Sequence, residues 1–312
     1  MCIAIATTNH PDFPFILLSN RDEFFKRPTM PVHFRSIENG IKLLSPLDLA
    51  RPEHGTWIGV TTSGKVAVLV NYHEADSSRA IGEISRGILP LDYLCSTESD
   101  DEWRENLEKV QLDKIGGFTL LYGQLSLDPN TSKINNLNIV SNRGEHGKVF
   151  QSDGAKTEDE IACKSTFGLS NSLYNEPWKK VKIGEGLLDK LIDESVEKGY
   201  SQEVLVDKCF DLLSNDTYDR NIIDSKDFEK KIIALRDSVF IPPLIRAGMK
   251  RDCIAVGKYY GTRTQTIILL DKTGHLNYYE KNIHNSDDLV EEDMVAHYKF
   301  SILHHPNGVM KR

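Results

Sequence analysis

Residues 56–71 read TWIGVTTSGKVAVLVN. Two apolar arms, Thr56 to Val60 and Val66 to Asn71, flank the turn formers Thr61-Thr62-Ser63-Gly64-Lys65, and this pattern predicts a β-hairpin. The second arm, VAVLV, is apolar at every position, so the side chains that alternate across it are apolar on both faces. Such a strand has to be covered on both sides, which argues for a sheet inside a layered domain rather than one open to water. The same stretch superficially fits a phosphate-binding loop. Val66, however, stands where a magnesium-binding hydroxyl is required, and the segment joins two strands instead of opening a helix.

Working outward, residues 2–7 and 14–19 are short apolar runs separated by Asn9-His10-Pro11-Asp12, so they predict a second hairpin. Further strands are expected at Phe118 to Tyr122, Leu137 to Ser141 and Phe167 to Leu169. Another hairpin is expected where Thr264 to Leu270 and His275 to Tyr279 flank Asp271-Lys272-Thr273-Gly274. Helical periodicity runs through Val181 to Glu197, with Ile183, Leu187, Leu188, Leu191 and Ile192 on one stripe, and through Gln202 to Leu213. A shorter helix is expected around Ile84 to Leu94, interrupted by Gly87 and Pro90. Strands thus occupy both ends of the chain with helices between them. No internal repeat or linker divides it, so residues 1–312 read as one domain, with 215–246 as a long loop or lid.

The charge balance of 38 lysines and arginines against 46 acids leaves −8, which disfavours capture of nucleic acid or anionic lipid by the chain as a whole. Five cysteines, at 2, 95, 163, 209 and 253, show neither paired metal spacing nor disulfide density, so a reducing compartment is expected. The N-terminus lacks the features of a secretory signal and no run is apolar for the length of a membrane span, so the expected location is cytoplasmic. No metal site is expected: no HExxH pair occurs, and His304-His305 reads as a surface tail. A Cys-x-x-Cys-His sequence for covalent haem attachment is also missing, although this does not address a loosely held haem.

The chain opens MCIAIATTNHPDFPFILLSNRDEFFKRP. If Met1 is cleaved, Cys2 carries both a thiol and an α-amine whose ordinary pKa of about 7.7 to 8.0 lets it accept a proton near neutrality. One residue then supplies nucleophile and base. A cation on the adjacent strand favours the thiolate, and Arg21 lies at the end of that strand. Strand alternation puts Asn20 and Asp22 on one face and Arg21 and Glu23 on the other, so only one acid lies beside Arg21. The competing reading makes Cys2 a small buried hydrophobe and the cluster a solvated strand end.

MCI, the tetrad Asn20-Arg21-Asp22-Glu23, GTWIGV at 55–60, Asn71-Tyr72, Ser85-Arg86-Gly87, GLSNS at 168–172 and YGTR at 260–263 lie in order along most of the chain. Together they resemble the NRDE-motif family, also called transport and Golgi organization protein 2. That family is similar in turn to N-terminal nucleophile hydrolases of the bile-salt and penicillin V acylase kind. The resemblance implies an α+β fold, a four-layer α-β-β-α sandwich with mainly antiparallel sheets.

Carried over, the acylase pattern makes Cys2 the nucleophile, with Arg21 beside the sulfur and Asp22 near the α-amine. It makes Asn71 an oxyanion ligand, Asn171 a second asparagine near the amine and the tetrahedral intermediate, and Arg263 the distal arginine completing the site. Neutral amide donors suit developing negative charge, and losing one typically costs about 100- to 1,000-fold in rate. Here Arg21 and Asp22 are adjacent where the acylases separate them, so Asp22 and Glu23 both stand for the acid. Read without the resemblance, Asn71 and Asn171 fit strand-end turns, Arg263 fits a hairpin entrance, Trp57 fits the core, and Ser85-Arg86-Gly87 fits equally the positioning of a helix or the binding of an anionic group.

Two function classes follow from the resemblance. One is an amidase or thioesterase acting on an acyl substrate through Cys2, with no cofactor required. The other is a non-catalytic protein holding a haem, acyl-coenzyme A or lipid ligand with Arg21 and Arg263 as charge partners. The second class implies trafficking and association with the Golgi, endoplasmic reticulum or mitochondria. No nucleic-acid partner and no transmembrane segment are expected, and the oligomeric state is left open.

Overall fold

The structure, a computed structural model, describes residues 2–74, 82–107, 109, 112–143, 147–148, 165–245, 257–290 and 294–302. Met1, Cys163, Arg246, Cys253 and the His304-His305 pair, which figure in the expectations above, lie outside the described residues.

The first half of the chain forms β1 (Ile3–Thr7), β2 (Phe15–Phe24), β3 (Thr29–Ser36), β4 (Lys42–Asp48), β5 (Ile58–Thr61) and β6 (Lys65–Asn71). Helices α1 (Ile88–Cys95) and α2 (Asp100–Leu107) follow, then β7 (Phe118–Gln124), β8 (Asn138–Ser141), β9 (Gly147–Lys148) and β10 (Thr166–Leu169). Next come α3 (Lys179–Lys198), α4 (Gln202–Leu213), α5 (Arg220–Ile223) and α6 (Phe228–Ala234). The chain closes with β11 (Leu244–Ile245), β12 (Tyr259–Leu270), β13 (His275–Asn282) and β14 (Val295–Ser301).

These strands build two seven-stranded antiparallel sheets. One runs β10-β1-β2-β12-β13-β14 with β11 attached to β12, and the other runs β3 through β9 in sequence order. Three apolar layers explain the stacking. In β6, Val66, Val68 and Val70 enter the core between the sheets, whereas Ala67 and Leu69 pack under α1 and α2. In β2, Phe15 and Leu17 face the same inter-sheet core, and Ile16 and Leu18 pack under α3 and α4. The doubly apolar hairpin is therefore covered by a sheet on one side and helices on the other, giving the α-β-β-α order with mainly antiparallel sheets. Its turn takes the left-handed backbone at Gly64, φ +95°, where a side chain would be strained.

Several elements differ from the sequence expectations. The helix expected from Ile84 begins only at Ile88. Ser85 to Gly87 are held instead against β5's approach, where Thr56 N donates to Gly87 O at 2.9 Å. The backbones come so close that a Cβ on Gly55 would lie 2.4 Å from the Gly87 carbonyl carbon, so only glycine fits there. Pro90 is accommodated because it falls in the first turn, where its missing N–H has no intrahelical acceptor to lose. Segment 215–246, expected as a loop or lid, carries α5, α6 and β11, joined by irregular chain. Its Tyr218, Leu235, Ile241 and Leu244 form a small core with Tyr260. Among the described residues no helix is long and apolar enough to cross a membrane.

Candidate functional site

A cleft of about 370 Å³ opens where the C-terminal half of β2, the end of β6 and the loop before α1 converge. Cys2, Arg21, Asp22, Asn71 and Asn171 all line it. Arg263 is not among its lining residues.

Cys2 is a free, partly buried thiol that packs against the inter-sheet core just before β1. Its position follows from the β1–β2 register: Ile3 pairs with Asn20, and one more step of the antiparallel ladder puts Cys2 across from Arg21. Both readings of Cys2 drawn from the sequence thus hold part of the geometry, since the residue abuts the core and also faces the cleft. The Arg21 guanidinium lies 4.0 Å from the centroid of the Trp57 ring, and its Nη2 is 3.7 Å from Glu23 Oε2. Its Nη1 is buried without a hydrogen-bond partner among the described residues. Burial pulls the Arg21 pKa down, opposed by the negative charge available at Glu23 and Cys2, but a guanidinium keeps its proton at any ordinary pH. An orphaned charged donor on a cleft wall is costly unless an acceptor arrives from outside. Trp57, read as a core residue, also forms the platform on which Arg21 rests and lines the cleft.

Alternation along β2 splits the acids. Asn20 donates through Nδ2 to Leu213 O at 2.8 Å and Val239 O at 2.9 Å, on the helical side of the sheet. Asp22 turns the same way, with its Oδ2 3.4 Å from Lys180 Nζ and its Oδ1 accepting from Thr262 Oγ1 at 2.8 Å. Glu23 lies on the Arg21 face, where its Oε2 is shared between Arg21 and Arg27 at 3.7 and 3.5 Å. The acid beside Arg21 is therefore Glu23, while Asp22 is anchored from α3. Lys180 is fully buried. Its signal in the sequence is a lysine on the buried stripe of α3, in line with Gly184, Leu188 and Leu191.

Asn171 bridges the two sheets. Its Nδ2 donates to Asn71 O at 2.6 Å and its carbonyl accepts from His73 N at 2.9 Å. With the amide nitrogen so used, Oδ1 remains a buried acceptor with no hydrogen-bond partner among the described residues. That orientation suits an incoming N–H and not an oxyanion. Asn71, at the exposed end of β6, is among the residues that line the cleft.

Arg263 sits at an irregularity in the β12–β2 ladder, between the pairs Thr262–Asp22 and Thr264–Arg21. Its guanidinium donates to His284 O at 3.0 Å, to Thr29 Oγ1 at 2.9 Å and to the carbonyl of Arg27. Burial lowers its pKa to about 10, which leaves it charged at neutral pH. Its hydrogen bonds tie the β2–β3 connection to β12, behind the cleft wall.

The other cleft cations are Arg27, Arg51 and Arg86. Arg27 makes a two-pronged pair with Asp48 at 3.1 and 2.6 Å, which holds the Asp48 carboxyl below its ordinary range despite burial. Sequence reasoning passed over Arg27 and Asp48 because nothing local connects them. No cluster of three or more metal-ligating side chains occurs among the described residues.

Comparison with known proteins adds the family. The profile described as Transport and Golgi organisation 2 matches residues 1–285. An uncharacterized protein of Saccharomyces cerevisiae is 29% identical over 315 residues, covering 95% of this chain and 96% of its own length. The Transport and Golgi organization protein 2 homologs of Bos taurus and Homo sapiens are 31% and 29% identical, each over 88% of both chains. Among solved structures, a C2A mutant of conjugated bile acid hydrolase from Clostridium perfringens aligns over 98% of this chain and 100% of its own. That alignment has 13% identity and a TM-score of 0.36.

Proposed function

This chain belongs to the Transport and Golgi organisation 2 family, and from that premise we propose that it is a cysteine N-terminal nucleophile hydrolase of an acyl amide or thioester. The observation that carries the reading is that Cys2 and Arg21 line the same cleft, close enough for the sulfur's charge to act on the guanidinium, whose Nη1 has no partner among the described residues.

In this reading Met1 is removed and the Cys2 α-amine takes the thiol proton as Sγ bonds to the acyl carbonyl carbon. The carbonyl π electrons move to oxygen, and the amide of Asn71, a residue lining the cleft, donates to that oxyanion. Collapse of the tetrahedral species breaks the bond to the leaving nitrogen or sulfur, which receives the proton from the amine. Water then adds to the thioester carbonyl, giving one proton to the amine. The C–S bond breaks, the acid departs, and the proton returns to Sγ. Arg21 favours the thiolate throughout, and the free Oδ1 of Asn171 orients the amine.

The rival reading is retention of a haem, acyl-coenzyme A or other lipid ligand for trafficking, without turnover. Intact-mass analysis decides between them. The protein is expected to have lost Met1, and incubation with a panel of acyl thioesters and amides should give a transient acyl adduct that Cys2→Ala lacks. Retained methionine, or no adduct and no released acid across the panel, rejects the hydrolase. Binding that survives Cys2→Ala under those conditions favours the carrier.

A further inference from the structure

The charges of the cleft do not cancel evenly. Glu23 is shared between Arg21 and Arg27, Asp48 is gripped by Arg27, and Asp22 faces Lys180. Glu74 is held by Arg143 Nε at 2.9 Å, and Arg51 pairs with Glu53 at 3.2 Å. Arg86 feels Glu23 and Glu74 only at longer range and makes no ion pair of its own among the described residues, since those two acids are already engaged by Arg21, Arg27 and Arg143. Its Nη1 donates to Gly117 O at 2.9 Å, which fixes the guanidinium plane, and its Nε and Nη2 have no protein acceptor there. These two donors form the side-on edge of the guanidinium, whose spacing matches the two oxygens of a carboxylate. The loop that presents Arg86 is rigidly placed, because Thr56 N donates to Gly87 O and the Gly55 and Gly87 backbones touch.

We infer that Arg86 is the anchor for a carboxylate on the substrate, next to the bond that Cys2 attacks, so that the substrate class is an anionic acyl amide or thioester. This rests on reading the cleft as the Cys2 reaction site. Burial lowers the Arg86 pKa to about 10, so the group is fully charged at neutral pH and carries a desolvation cost that a bound carboxylate offsets. Arg21 Nη1, orphaned on the same cleft, adds to the field. A neutral acyl group of similar shape would leave the side-on edge of Arg86 and the Nη1 of Arg21 without an acceptor, and the site would discriminate against it.

The test needs no turnover, so its failure is separable from failure of the hydrolase reading. Cys2 alkylation by iodoacetate and by iodoacetamide is followed by peptide mass mapping. In each case an S–C bond forms, iodide leaves with its electron pair, and the thiol proton goes to buffer. The ratio of the two rates, referenced to 2-mercaptoethanol, is expected to favour iodoacetate by about 10-fold, from one charge-assisted, partly desolvated pair. Arg86→Gln should remove most of that preference, Arg86→Lys should keep part of it, and added salt should weaken it. A wild-type ratio equal to that of the free thiol overturns the inference, as does an unchanged ratio in Arg86→Gln or failure of both reagents to reach Cys2. Should Arg86→Gln not fold, the wild type decides. Succinate must protect Cys2 from iodoacetamide where succinamide does not, and equal protection by the two rejects the carboxylate site.

Discussion

Replacing Lys180 with methionine removes the cation that faces Asp22 from α3 while keeping most of the apolar stem. Both side chains are fully buried, with Nζ 3.4 Å from Oδ2. At an effective dielectric of about 20, two unit charges at that separation interact by about 5 kcal/mol. Breaking a buried pair by removing one partner typically costs about 3 to 5 kcal/mol, because the surviving charge is left in a poor solvent. Thr262 Oγ1 continues to donate to Asp22, which moves the expectation toward the lower end, about 3 kcal/mol. For a chain of 312 residues that corresponds to a drop of roughly 5 °C in melting temperature. The assay is urea denaturation of the wild type, Lys180→Met, Asp22→Asn and the double variant. The cycle isolates the pair, and the double variant should lose less than the two single losses combined, by at least about 1 kcal/mol. A loss below about 0.5 kcal/mol for Lys180→Met, or strictly additive losses, would refute the claim that this pair is an energetic link between α3 and β2.

Two further outcomes are expected. Lys65 Nζ donates to the carbonyls of Tyr93, Ser96 and Glu98, so it closes the C-terminus of α1; Lys65→Met should cost about 2 to 3 kcal/mol and raise hydrogen exchange at residues 93–99 ahead of the rest. Burial raises the Glu280 pKa above its ordinary value, so the folded state holds that proton more tightly than the unfolded chain. Its stabilising effect is complete below the unfolded pKa of about 4.5 and fades as pH rises through the folded pKa. Glu280→Gln should therefore gain stability relative to wild type across that window in pH-resolved denaturation, and a constant difference between the two proteins would rule this out.

Patterns with a short period were readable from the chain. Alternation gave the hairpins around Gly64 and Gly274, and the 3.6-residue stripe gave α3 and α4 almost to their ends. Elements whose burial is slight were missed. In α2 only Trp103 and Leu107 are buried, so its apolar stripe is faint. Its start was nonetheless encoded by Ser99 and Glu102, which cap each other reciprocally. β3 and β14 are edge strands whose residues are mostly exposed or half exposed, and β3 is further interrupted between Met30 and His33, so their alternation carries little apolar contrast.

Local chemistry along the backbone, then, determined by itself which segments extend, which coil, and which side chains must leave water, since those preferences act between neighbours a few residues apart. It also put Cys2 and Arg21 on adjacent strands. What each charged group faces was decided only by the tertiary structure, because the partners come from distant parts of the chain. Lys180 meets Asp22 across 158 positions, and Arg263 meets the Arg27 carbonyl across 236. Coulombic and hydrogen-bond energies depend on distance and burial in three dimensions, and neither is written in the order of residues. That is why Arg263, matched by motif, turned to backbone carbonyls, while Arg86, whose motif left helix positioning and anion binding equally open, kept side-on donors without an acceptor among the described residues.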